Sequence, residues 1–144
     1  MIDEKKLEIM SEKPGFVAAL DESIKSTPAA LRAYGIPDET YHTKEEMLNL
    51  IHDMRSRIMI SEDFSSTHIL GTILYIDTIK RKIQGQYVSE YLWEQKGILA
   101  FLKIDDGLDV PGSGVQLLKP IADFEEKLQE AKGCAAPQRR THAE

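Results

Sequence analysis

Two charged groups sit where short apolar runs give out. Asp21 ends the run Gly15-Phe16-Val17-Ala18-Ala19-Leu20, and Lys103 with Asp105 ends Leu99-Ala100-Phe101-Leu102. In α/β folds with parallel strands, the loops leaving the C-terminal strand ends converge on one face, and functional groups collect there. An aspartate on that face beside a lysine stays ionised, and the ammonium can also bind an anionic substrate group. The plainer reading of each residue is a strand that ends in charge as it reaches solvent. Ser23, Ser26 and Thr27 follow Asp21 and precede Pro28. Hydroxyls and free backbone N–H groups at a helix start can hold a phosphate. Periodicity by itself favours Thr27 as a simple N-cap.

Other chemistries find less support. Cys134 is the single cysteine, His42 and His52 stand ten residues apart, and neither HExxH nor CxxC occurs, which argues against a structural metal and an internal disulfide. The only Gly-rich loop, Pro111-Gly112-Ser113-Gly114, lacks both the dinucleotide spacing and the P-loop ending. With 18 Lys and Arg against 24 Asp and Glu, the net charge is -6 and no basic block is present. Nucleic acid and anionic membrane surfaces both require local positive potential, so neither is an expected partner. No segment reaches the roughly 18 apolar residues of a membrane span, and the mixed-charge start leads into no apolar leader core, so a cytoplasmic address is expected.

The elements that must position these groups follow from the hydrophobic pattern, and 42% apolar residues describe an ordinary folded chain. Gly15 to Leu20, Ile69 to Ile76 and Ile98 to Ile104 have strand length without clean alternation. Each therefore reads as a strand buried on both faces of a helix-covered parallel sheet. Thr27-Pro28 opens a short helix that ends at Gly35. Thr43 and Glu46 have capping-box spacing, and Met47, Leu48, Leu50, Ile51, Met54 and Ile58 hold one face of a longer helix. Val88, Tyr91 and Leu92 suggest another helix. Ile121, Phe124, Leu128 and Ala131 step at helical spacing after Pro120. The order is that of successive βα units. After Lys132 a further strand is due, but the chain turns polar and proline-interrupted instead.

Six blocks carry a more specific likeness. Gly15-Phe16-Val17-Ala18-Ala19-Leu20-Asp21-Glu22-Ser23, Ser26-Thr27-Pro28-Ala29-Ala30-Leu31, Met54-Arg55-Ser56-Arg57, Ile69-Leu70-Gly71-Thr72-Ile73-Leu74, Phe101-Leu102-Lys103-Ile104-Asp105 and Gly114-Val115-Gln116-Leu117-Leu118-Lys119-Pro120 occur in order along the chain. Together they resemble the N-terminal half of class I (Schiff-base) fructose-bisphosphate aldolases of the bacterial type. The likeness covers residues 1–133, and residues 134–144 read as a non-family tail, disordered or frameshifted.

The resemblance implies an α/β fold that is part of a (β/α)8 TIM barrel, about its first three βα units. It implies reversible cleavage of fructose 1,6-bisphosphate to glycerone phosphate and glyceraldehyde 3-phosphate through a lysine imine, without metal or other cofactor. By the same likeness Asp21 is a catalytic residue, Lys103 binds substrate near its phosphate and reacting hydroxyl, and Ser23 and Ser26 contact phosphate. Two departures fall beside that site. Ile24 and Lys25 stand where the family's D-x-S-G-G-S-T loop has small residues, and Asp106 stands where a lysine is common. A β-branched residue in a phosphate loop predicts altered loop geometry. The family's imine-forming lysine belongs to the half not seen here. The codons for Cys134 to Pro137, read one base earlier, can spell Val-Arg-Gly-Thr, close to the family's sequence at that point; the correspondence fails at the family's next lysine, which the codon overlapping Gln138 cannot encode, and the expectation is a frameshifted or otherwise truncated reading frame. The alternative expectation is therefore a truncated, inactive chain acting as a binding or assembly partner. Its open sheet edges would favour homo-oligomers or aggregation.

Overall fold

The computed structural model describes residues 3–135. Helix α1, Glu4–Glu12, is capped by Asp3, whose carboxylate accepts from the Lys5 N–H at 3.0 Å. Strand β1, Phe16–Leu20, leads through a turn into α2, Thr27–Ala33. A 3-10 turn, Asp38–Thr40, precedes α3, Lys44–Ile60. The capping box forms as its spacing predicts: Thr43 Oγ1 accepts from Glu46 N at 3.1 Å, and the Glu46 carboxylate accepts from Thr43 N at 3.3 Å and from His42 N at 2.6 Å. Hydrogen bonding to the His42 amide holds the Glu46 carboxyl below its ordinary pKa.

Strand β2, Ile69–Leu74, is followed by α4, Ile76–Ile79, and then by a small hairpin of β3, Lys82–Ile83, and β4, Gln86–Tyr87. Nothing in the apolar pattern predicts this hairpin. Its turn is carried by Gln84 at φ 50° and Gly85 at φ 81°, the left-handed pair of a two-residue loop. Helix α5, Val88–Tyr91, runs into a π turn over Leu92–Lys96 that Gly97 ends at φ 67°. Strand β5, Leu99–Leu102, comes next, and helix α6, Phe124–Ala135, closes the described part. Helix α6 starts at Phe124 rather than after Pro120, because Asp123 takes φ 52° and so falls outside the helical region. Residues 136–144, most of the predicted tail, lie outside the described residues.

Strands β1, β2 and β5 form a parallel sheet in that order. The fold is α/β, with sequential strands adjacent and joined by helical crossovers. Leu20, Leu74 and Leu102 stand in one row of the register. One step beyond, Lys103 N donates to Leu74 O at 2.9 Å and extends the ladder past the named strands. Asp21, Tyr75 and Lys103 therefore leave the sheet side by side.

One core lies between the sheet and its helices, with Leu74, Val88, Leu92 and Ile98 fully buried. A second joins α2 to α3 through Leu31, Met47, Ile51 and Met54. Gly71 is fixed by close approach: a Cβ there would lie 2.3 Å from Cε2 of Phe101, whose ring covers the strand.

Burial on both faces describes β2 but not β1. Phe16 is 55% exposed and Val17 38% exposed. β1 pairs only with β2, and the described residues do not cover the face that Val17 presents, so an apolar run here does not mean a buried strand. No helix among the described residues is long and apolar enough to cross a membrane.

Candidate functional site

The shared register brings the two strand-end charges into contact. Lys103 Nζ lies 3.2 Å from Asp21 Oδ2 and 3.7 Å from Asp105 Oδ1. All three side chains are partly exposed, so the ammonium remains reachable from solvent. The hydrogen bond to Asp21 raises the Lys103 pKa above its ordinary value of 10.5, with the Asp105 and Asp21 charges adding to the rise and desolvation opposing it. Lys103 is accordingly a fixed cation, suited to hold an anion rather than to attack a carbonyl.

The sign of its pH dependence follows. A cation whose pKa is raised by folding contributes stability that is complete below its unfolded pKa and lost as pH rises through the folded one. In an alkaline titration, the Lys103 ¹³Cε resonance is expected to reach its midpoint above 10.5. A midpoint at or below that value would contradict the ion pair.

The hydroxyls follow directly on Asp21. Ser23 Oγ and Ser26 Oγ are 3.2 Å apart, and Ser26 N donates to Ser23 Oγ at 3.3 Å. Thr27 is not the cap. It is the first residue of α2, is 1% exposed, and its hydroxyl donates back to Ser23 O at 2.8 Å. Ser26 occupies the N-cap with helical backbone angles and no side-chain cap hydrogen bond. Because the turn already satisfies the Thr27 N–H through Ser23 O, a side-chain acceptor is not required there. α2 is only seven residues long, so any affinity for an anion rests on the hydroxyls and Lys103 rather than on a helix axis.

Separate cavities of ≈ 330 to 490 Å³ open on the surface, and the one of ≈ 490 Å³ is at this strand end, lined by Ser23, Ile24, Lys25, Tyr75, Lys103, Asp105, Asp106, Gly107 and Lys119. It brings Ser23 and Lys103 onto one wall. Asp21 stands behind Lys103, and Ser26 behind Ser23, rather than on the lining itself. Ile24 and Lys25 belong to the rim and take no positive φ, so the turn accommodates both without backbone strain.

Asp106 is compensated locally. Its carboxylate accepts from Lys127 Nζ at 2.8 Å and from Ala122 N at 2.7 Å, and Lys127 also donates to Ile104 O at 3.2 Å. The Lys127 hydrogen bond, followed by that from Ala122, holds the Asp106 carboxyl below its ordinary range. Its negative charge thus ties the segment after β5 to α6 instead of standing free in the cavity. Asp105 turns the chain at the same place by accepting from Gly107 N at 3.0 Å.

The pattern of candidate residues omits one that the structure makes prominent. Arg55 of α3 is 2% exposed and bonds both the carboxylate and the carbonyl of Glu22, the residue between Asp21 and Ser23. The available signal is its position four residues after Ile51, on the buried face of the helix. Among the described residues, no group of three or more His, Cys, Asp and Glu side chains is placed to hold a metal ion.

No protein-family model matches the chain. It is 48% identical over 130 residues to the class 1 fructose-bisphosphate aldolase of Clostridium acetobutylicum, covering 90% of this chain and 44% of that protein. The chain is a partial relative of the class 1 fructose-bisphosphate aldolases. A second aldolase of this class, from Porphyromonas gingivalis, is 44% identical over 132 residues, with 92% of this chain and 45% of that protein covered. The chain therefore spans less than half the length of the aldolases it matches, and most of its own length is aldolase-like sequence.

Proposed function

We propose that residues 1–133 are the portion of a class I aldolase barrel, about three βα units, that binds the sugar phosphate. Asp21 then orients the reacting hydroxyls, while Lys103, Ser23 and Ser26 hold a phosphate group of fructose 1,6-bisphosphate. The single observation that carries the proposal is the Lys103 ammonium, held 3.2 Å from Asp21 on the wall of a cavity that Ser23 also lines. A partly exposed cation with hydroxyls nearby is suited to a phosphate, which takes both charge and hydrogen bonds. The address of such a chain would be cytoplasmic.

In this reading the 144 residues bind and orient but do not form the imine. Imine formation needs a neutral amine, and the Asp21 hydrogen bond keeps Lys103 protonated. Treatment of the chain with fructose 1,6-bisphosphate and borohydride, followed by intact-mass measurement, is expected to show no added mass. A reduced adduct on any lysine would overturn the binding-only reading. The uncovered edge strand β1, with Phe16 and Val17 exposed, supports a further part of the proposal: another strand, from a second copy, completes the sheet.

A further inference from the structure

Arg55 is a charged side chain almost wholly withdrawn from solvent, and its partners account for all three of its nitrogens. Nε and Nη2 donate to Glu22 Oε2 at 3.2 and 2.8 Å, Nη2 also donates to Glu22 O at 3.0 Å, and Nη1 donates to Thr78 Oγ1 at 2.7 Å. Glu22 is the first residue after Asp21, and its carbonyl lies in the main chain that leads to Ser23. Thr78 belongs to α4, which follows Tyr75 on the cavity wall. One planar group thus ties together the chains leaving β1 and β2, two of the three strands whose ends meet at the site.

A backbone carbonyl held by a buried guanidinium has little freedom to rotate. Beyond Glu22, Ser23 O accepts from Ser26 N, Thr27 N and Thr27 Oγ1, so the loop is gripped on both sides of Ser23. Arg55 itself is absent from the lining of the cavity that holds Lys103 and Ser23. We infer that Arg55 is a positioning residue, which sets the Asp21–Ser26 loop for anion binding without touching the anion. The inference rests on the reading that Lys103 and Ser23 hold a phosphate.

Arg55→Lys keeps the charge but replaces a rigid fork by a single ammonium, which cannot reach the Glu22 carbonyl, the Glu22 carboxylate and Thr78 in the same geometry. The whole chain, parent and variant, is titrated with inorganic phosphate and followed through the amide resonances of Ser23, Ser26 and Thr27. Hydrogen exchange is recorded on the same samples. The expected result is phosphate affinity about tenfold weaker, the scale of a lost charge-assisted hydrogen bond. Exchange should rise at Ser26 and Thr27, whose amides are held by Ser23, while the β2 amides keep their protection. Affinity within about twofold of the parent would overturn the inference, as would equal loss of protection in β2, which marks a general structural role.

If the parent itself binds no phosphate, the proposed function fails. Exchange at Ser26 and Thr27 then decides the loop-setting part alone: a rise confined to those two amides supports it, and unchanged exchange overturns it. Should Arg55→Lys fail to fold, Glu22→Gln keeps an acceptor on a partly exposed side chain and weakens only the charge-assisted contact. It is expected to give the same local pattern with about a threefold loss of affinity. No change in either quantity would overturn the inference.

Discussion

Replacing Lys103 by methionine is expected to weaken binding of fructose 1,6-bisphosphate by about 10- to 150-fold, the range set by a hydrogen bond to a charged group worth about 1.5–3 kcal/mol. Methionine keeps the unbranched apolar stem and removes the ammonium. The substitution also leaves Asp21 and Asp105 without the ammonium that both contact. Like charges then add repulsion toward any incoming phosphate, so the loss should lie in the upper part of that range. Stability should change far less than binding, because the three side chains are partly exposed and solvent screens their interaction. Isothermal titration calorimetry on parent and variant reads the first quantity, and a urea transition reads the second. Equal affinity in the two proteins would remove Lys103 from the site.

Leu74→Ala is expected to have the largest effect on folding, about 2–5 kcal/mol, because it combines lost apolar transfer with a cavity in a packed interior. Leu74 is fully buried on β2, the central strand, between Leu20 and Leu102 in register. Its carbonyl also accepts the Lys103 N–H, so a shift of the strand end moves the site residue with it. Binding and stability should therefore fall together here, unlike in Lys103→Met. Leu128 of α6 offers the contrast: at 37% exposed, its replacement by alanine should cost about 0.5 kcal/mol or less. Urea midpoints at constant slope give both values. A small effect at Leu74 would mean that the sheet does not have its core on this face.

These two outcomes depend on features of unequal visibility in the sequence. The meeting of Asp21 and Lys103 was legible because a parallel sheet brings consecutive strand ends to one face, and both residues directly follow an apolar run. The α3 start was legible because the capping box is a local hydrogen-bond exchange between Thr43 and Glu46. Features decided by distant parts of the chain were not. Whether β1 is buried depends on what covers its second face, and no periodicity within five residues contains that. Thr27 reads as a cap locally, yet Ser23 O reaches its hydroxyl and amide and moves the helix start.

Arg55 was hidden for a related reason. A charged residue is ordinarily assigned to solvent, and only its partners 33 and 23 residues away, Glu22 and Thr78, explain its burial. Asp106 likewise reads as a reversed charge beside the site until Lys127 and the Ala122 amide are seen to consume it. The hairpin of β3 and β4 has two-residue strands, too short for any apolar alternation to register.

We propose that the ends of β1 and β5 form one phosphate-binding site. An amide-resonance titration of the whole chain with fructose 1,6-bisphosphate tests it most directly. Saturable shifts that move together at Ser23, Ser26, Lys103 and Gly107, with one common affinity, are the predicted result. No shifts at these positions, or shifts confined to the cavity beside Lys80 and Glu130 on the α4 and α6 side, would contradict it.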